Sequence, residues 1–331
     1  MGIDILSLQP NVISRDLTSK YILLAGPVKI GKTTFCTQAP GCLVLAFEKG
    51  TNARAGAMVQ PIEKWTEFKI VLRQLRKPEA QTLYKTVALD TIGIAYDACE
   101  KYICQQNGVQ KIGDIPYGGG YKMLSDEFSG CLREITMMGY GVIMTCHLKK
   151  SLISSDEEKG EVYSYSPDLN NRCLKIVNAL VDVLGVITQK WNEKGESERY
   201  LVTRATPYIT AGSRYQYLDP VIPFGYKELE DAIGRAIDKE AEIHGADAVA
   251  DHVEQTQSEV LDFPAVRKEA ESLWMKLIYG DNDEPSEEMA KTLQKKIEMI
   301  FGQKIKLSEI QEDQVDLLQL VVLEMRDMVK D

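Results

Sequence analysis

Tyr21-Ile-Leu-Leu-Ala-Gly26-Pro-Val-Lys-Ile-Gly31-Lys-Thr-Thr34 is the stretch on which the reading of this 331-residue chain turns. An apolar strand runs into a glycine-bounded loop and then a helix start. Gly26 and Gly31 bracket Pro27, Val28, Lys29 and Ile30, and Lys32 and Thr33 follow, so every fixed position of G-x-x-x-x-G-K-[ST] is met. Glycines at both ends let the backbone curl into a nest of N–H donors around an anion, and the helix that follows turns its positive end to the same point. Lys32 is expected as a surface charge reaching the β- and γ-phosphates of a nucleotide, and Thr33 offers a hydroxyl to Mg²⁺. Gly26 through Thr34 form the expected phosphate cradle.

Working outward, the neighbouring segments alternate. Cys42–Phe47 reads as a second buried strand ending at Glu48-Lys49-Gly50, and Thr86–Leu89 as a third ending at Asp90. Between them, Trp65, Phe68, Val71, Leu72 and Leu75 recur at helical spacing, and Pro78 is expected to stop that helix. Ile92–Gln106 returns as a helix, Asn107–Tyr121 is a long glycine-rich loop, and another helix runs through Met138. Gly141–Cys146 is a fourth strand ending at His147, followed by a polar segment, Leu148–Asp168, expected as a loop. A helix over Leu169–Leu180 and a hairpin of Val181–Gln189 with Arg199–Thr203 complete the pattern. Strands alternating with helices argue for a parallel sheet covered on both faces.

Composition bounds the function classes. With 44% hydrophobic residues and no apolar run of membrane-spanning length, the chain reads as an ordinary globular protein. Met1–Asp16 has no basic start, so a cytoplasmic protein without membrane contact is expected. Seven cysteines with no C-x-x-C and three histidines with no H-E-x-x-H point to reduced core thiols and no zinc. Charge is uneven: from Glu240 onward there are 22 acids against 10 bases, while the preceding part is near neutral. The expected organisation is a core over 1–239, an acidic linker over 240–262 and a helical domain over 263–331. In the last, helices are expected over Phe263–Tyr279, Ser286–Phe301 and Ser308–Val329, with Ser308 and Gln311 as a capping box.

Several residues then acquire candidate roles. Asp90 ends a strand, where a Mg²⁺-coordinating acid must stand beside the phosphate loop, although an aspartate there also caps a helix beginning at Ile92. Thr91 follows it, so a catalytic base must come from elsewhere. Glu48, at the end of the second strand, is the candidate to hold an attacking water, its alternative being a solvated acid opening a turn.

Taken in order, Gly-Pro-Val-Lys-Ile-Gly-Lys-Thr-Thr, Leu-Ala-Phe-Glu48 and Val-Ala-Leu-Asp90-Thr resemble the RecA-like ATPases over roughly residues 20–240. Tyr117-Gly-Gly-Gly-Tyr121, the strand ending at His147 and Ala211-Gly-Ser-Arg214 resemble a phage-associated branch of short RecA-like proteins linked to single-strand annealing and recombination. The resemblance implies an α/β fold, a RecA-like P-loop NTPase core with a mostly parallel sheet, accompanied here by a small all-α C-terminal domain. It implies ATP and Mg²⁺ as ligands, Glu48 as base, Lys32 as catalytic lysine and His147 as the polar residue that senses the γ-phosphate. The two loops correspond to paired DNA-binding loops, with Tyr117 and Tyr121 to stack on bases and Lys111, Lys149 and Lys150 to meet phosphates. Packing of those tyrosines within the loops is the rival, and Asp156-Glu157-Glu158 works against an anionic ligand. Arg214 either completes a neighbouring subunit's ATP site or forms a surface ion pair.

The expected function is therefore a DNA-stimulated ATPase acting on single-stranded DNA in phage-type recombination or annealing, assembled as a homo-oligomer. Its helical domain is expected to meet a single-strand-binding or other replication protein. The alternatives are a ring-forming motor or helicase loader, a nucleotide-gated interaction module, and a P-loop kinase.

Overall fold

The computed structural model describes residues 12–48, 56–156, 160–245, 249–250, 261–280 and 285–330. The arm before Val12, the turn residues Lys49 and Gly50, the acids Glu157 and Glu158, and most of 246–260 lie outside the described residues. Two compact units emerge, 2–257 and 258–331.

In chain order the first contains β1 (Ile13–Ser14), β2 (Tyr21–Ala25), α1 (Lys32–Gln38), β3 (Cys42–Ala46), β4 (Met58–Pro61), α2 (Trp65–Leu75), α3 (Pro78–Leu83), β5 (Thr86–Asp90), α4 (Ile92–Gln106), α5 (Gly119–Met137), β6 (Gly141–Cys146), β7 (Leu148–Asp156), β8 (Gly160–Pro167), α6 (Asn171–Leu180), β9 (Val183–Trp191), β10 (Ser197–Val202), β11 (Gly212–Ser213), β12 (Val221–Pro223), α7 (Tyr226–His244) and β13 (Val249–Ala250). The main sheet runs β12-β10-β9-β2-β6-β5-β3-β4, with β11 also on β9. Strands β9, β2, β6, β5, β3 and β4 run parallel to one another, and β10, β11 and β12 are antiparallel additions.

Alternation along β2 divides the core. Leu23 and Ala25 face a cluster built with Trp65, Phe68, Tyr96, Phe128 and Cys173 from α2, α4, α5 and α6. Ile22 and Leu24 face the other layer, with Phe35 of α1 and Leu229, Ile233 and Ile237 of α7. A strand buried on both faces needs an unbroken apolar run, which is why Tyr-Ile-Leu-Leu-Ala reads so plainly. All seven cysteines are buried and free. Among the described residues no helix is long and apolar enough to cross a membrane.

Several expectations change. Pro78 does not simply end a helix: α2 stops at Leu75 and Pro78 opens α3 from its first turn, where a missing N–H costs nothing. Leu148–Asp168 is not a loop but an antiparallel hairpin, β7 with β8, as a separate two-stranded sheet. Helix α7 continues past Lys239 to His244, because Glu240, Ala241 and Glu242 are all good helix formers. Val249–Ala250 pairs with Ile13–Ser14, so the residues before β2 and the expected linker each lend a short strand to the first unit.

The second unit holds α8 (Phe263–Tyr279), α9 (Glu287–Phe301) and α10 (Val315–Lys330). Val266, Ala270, Leu318 and Val322 form one small core, and Ile278, Leu293, Ile297, Val321 and Met325 another. Ser286 caps α9, accepting from the Met289 N–H at 3.2 Å. The expected Ser308 box does not form. Glu309 instead turns back to the Lys306 N–H at 3.0 Å, Gln314 to that of Gln311 at 3.0 Å, and α10 begins only at Val315.

Candidate nucleotide site

Register assembles the site. Ala46, Asp90 and Thr145 are directly paired across β3, β5 and β6, and Leu24 of β2 pairs with Thr145. One row further on stand Phe47, Cys146 and Ala25. Beyond the paired residues, Glu48 follows β3, His147 follows β6 and Gly26 follows β2, all at the same carboxyl edge. The backbone N–H groups of Phe47 and Glu48 both donate to the Asp90 carbonyl, at 2.8 and 3.2 Å, which ties the end of β3 onto the end of β5.

The phosphate loop between β2 and α1 is held in shape by its own backbone and neighbours. Lys29 and Gly31 both have left-handed backbone, φ 63° and 113°. Gly26 is needed for a close approach, since a Cβ there would stand 3.0 Å from Ile30 Cγ2 and 3.1 Å from Ile187. Helix α1 is only seven residues long, so the N–H groups of the loop itself matter more than an extended helix dipole.

Lys32 is not the surface charge that the sequence suggests. It is 7% exposed, and its Nζ donates to the carbonyls of Gly26 and Pro27, each at 2.8 Å. Burial pushes its pKa down, opposed chiefly by the nearby Asp90 carboxylate. A cation poised in this way inside the loop fits a polyphosphate.

Asp90 is buried at 6% exposure and accepts two hydroxyl hydrogen bonds. Thr33 Oγ1 donates to Oδ2 at 2.6 Å, and Thr145 Oγ1 to Oδ1 at 2.5 Å. With its proton directed to Asp90, the Thr33 hydroxyl presents lone pairs to a cation. That donor set fits Mg²⁺. Among the described residues no three His, Cys, Asp or Glu gather as a metal site, so Thr33, with Asp90 behind it, would hold an ion otherwise carried by the nucleotide phosphates.

Glu48 and His147 lie on either side of β5 and meet over its end, Oε2 to Nε2 at 3.3 Å. Both side chains remain partly open to solvent, and His147 Nδ1 is buried with no hydrogen-bond partner. His147 leads straight into β7, and its carbonyl accepts from the Asp168 N–H at 2.9 Å, clasping the base of the hairpin.

The other candidates fall elsewhere. Tyr117 is fully exposed with left-handed backbone, φ 58°. Tyr121 is half-buried, and the Arg172 guanidinium sits 4.0 Å from its ring centre, so one face of the ring is already taken within the chain. Lys111 is exposed, its N–H bound to Asp114. Lys149 and Lys150 stand on β7, with Lys150 Nζ 3.5 Å over the Tyr163 ring. Arg214 is engaged within its own chain, with Asp182 Oδ1 at 3.1 Å and the Ala179 carbonyl at 2.8 Å, which is the ion-pair alternative.

Two residues at the site had no signal in the sequence. Thr145 reads as one more residue of a buried strand, and only strand register places its hydroxyl on Asp90. Arg199 lies in β10, far along the chain, yet its Nη1 donates to the Ile30 carbonyl at 2.9 Å.

Comparison with known proteins agrees with this geometry. The family described as AAA domain matches residues 18–215. The SPbeta prophage-derived uncharacterized protein YorG of Bacillus subtilis (strain 168) is 29% identical over 342 residues, covering 99% of each chain. The crystal structure of flagellar accessory protein FlaH from Methanocaldococcus jannaschii is 11% identical and aligns with 63% of this chain and 85% of that one, at a TM-score of 0.33 that adds nothing to the fold read from the strands. The family match takes in the phosphate loop, Glu48, Asp90 and His147 and spans more than half of the sequence, so the chain belongs to the AAA domain family of P-loop ATPases.

Proposed function

We propose that the chain is a Mg²⁺-dependent ATPase of RecA-like type that acts on single-stranded DNA in phage-type recombination or annealing, as a homo-oligomer. The observation that carries this reading is the Glu48–His147 contact, because His147 is continuous with a hairpin bearing Lys149 and Lys150. A change at the γ-phosphate that alters the hold of His147 on Glu48 is thereby passed to a segment suited to a nucleic-acid backbone. The prophage origin of the Bacillus relative supports the phage setting.

In this reading Lys32 leaves its two carbonyls for the β- and γ-phosphates, and Glu48 accepts the proton of a water attacking the γ-phosphorus. The new bond joins water oxygen to phosphorus, the β–γ bridging bond breaks, and ADP carries away the bridging oxygen. Thr33, with Asp90 behind it, would hold Mg²⁺, which would supply charge neutralisation at the phosphates. His147 orients Glu48.

ATP hydrolysis measured with and without single-stranded DNA tests the proposal. Strong stimulation supports it. Turnover indifferent to DNA favours the interaction-module reading, in which the acidic helical unit meets a protein partner.

A further inference from the structure

We infer that Arg199 is the base-side clamp of this site, its guanidinium receiving the face of the nucleobase. The inference rests on the nucleotide reading above and adds a residue that neither the sequence motifs nor the family match singles out.

Topology sets the direction. Strand β2 lies between β6 and β9. Asp90, Glu48 and His147 all belong to the β6, β5 and β3 side, so the terminal phosphate and its metal are placed there. The remainder of a loop-bound nucleotide leaves on the opposite side, toward β9, β10 and β12. On that side the protein offers a layered group of planar side chains. The rings of Phe35 and Phe224 stack at 5.6 Å with an interplanar angle of 15°. The Arg199 guanidinium lies 5.7 Å from the centre of the Phe224 ring.

The arginine is fixed at one edge and open beyond it. Its backbone pairs with Gln189 of β9, its carbonyl accepts from the Phe224 N–H at 2.9 Å, and its Nη1 is tied to Ile30. It also fills the space where a side chain on Gly31 would stand, 2.7 Å from that Cβ position. Among the described residues one of its five N–H donors is used in this way, and the residue is exposed to solvent. A planar, permanently charged group anchored beside a phosphate loop suits a flat, electron-rich base. A lysine ammonium at the same place supplies the charge without the plane.

The test is calorimetric titration of Mg-ATP and of Mg-tripolyphosphate, which has no base, into wild type, R199A and R199K. Loss of one stacked base contact weakens ATP binding by about 10-fold or more while tripolyphosphate affinity stays within about twofold, and R199K matches R199A. Three outcomes overturn the inference while leaving the nucleotide reading standing: ATP affinity unchanged in R199A, equal weakening of both ligands, or rescue by R199K. A wild-type protein that binds neither ligand overturns both. R199K also serves as the reporter if R199A does not fold, since it keeps a long cationic side chain beside Phe224.

Discussion

Thr145→Val probes the site through its most buried polar contact. Thr145 is 0% exposed and donates to an Asp90 carboxylate that is itself 6% exposed. Valine keeps the shape and removes the donor. A hydrogen bond to a charged group is worth about 1.5–3 kcal/mol, and the full burial of both partners places this one in the upper part of that range. A loss of about 2–3 kcal/mol lowers the folding equilibrium constant about 30- to 160-fold. With a urea slope of about 2–3 kcal/mol per molar, the midpoint of the core transition falls by about 1 M. Trp65 is buried in that core, so urea titration by tryptophan fluorescence, in a background where Trp191 and Trp274 are phenylalanine, reports the core alone. Thr145→Ser is the control, because it keeps the hydroxyl and gives up one methyl, at about 0.5–1.5 kcal/mol. If the valine variant proves as stable as wild type, or the serine variant is the weaker of the two, Thr145 does not hold Asp90, and the account of the metal-facing carboxylate fails with it.

Lys32→Ala abolishes nucleotide binding or turnover, and equilibrium binding of a fluorescent ATP analogue checks it; retained ATPase activity contradicts the role of the loop lysine. Glu48→Gln keeps ATP binding and lowers hydrolysis by roughly 10² to 10⁴-fold, and single-turnover kinetics near wild-type rates would move the base to another residue. Ending the chain after residue 257, which keeps β13 and the whole first unit, removes most of the acidic excess, and we expect tighter single-strand binding whose log–log salt slope steepens by about 0.7 for each added phosphate contact. Affinity measured across a salt series decides this, and superimposable curves for the two lengths refute it.

The sequence makes legible whatever depends on local spacing. The inner strands are continuous apolar runs because both their faces are covered, and the phosphate loop has fixed residues at fixed intervals. Asp90 is legible for a related reason, as the acid that ends such a strand. What depends on partners distant in the chain is not legible. Strand β4, Met-Val-Gln-Pro, is an exposed edge with no apolar pattern, and β7, Leu-Lys-Lys-Ser-Leu-Ile-Ser-Ser-Asp, is mostly polar without strict alternation and so reads as a loop. The contact between Glu48 and His147 requires the strand order as well as the positions of the two residues. Arg199 is hidden most deeply, since nothing near residue 199 shows that an antiparallel extension of the sheet returns beside residue 30.

The two carbonyls that hold Lys32 make the resting loop its own competitor for ligands. An arriving anion gains a bond to the ammonium only by displacing the Gly26 and Pro27 oxygens, which are already at good distance. A single inorganic phosphate replaces those two contacts with little surplus. A chain of linked phosphates does better, because it also occupies the N–H groups of the nest and the ion beside Thr33. On the proposed function, a preference for linked phosphates over a single small anion is thus built into the loop itself, before any part of a nucleoside is read.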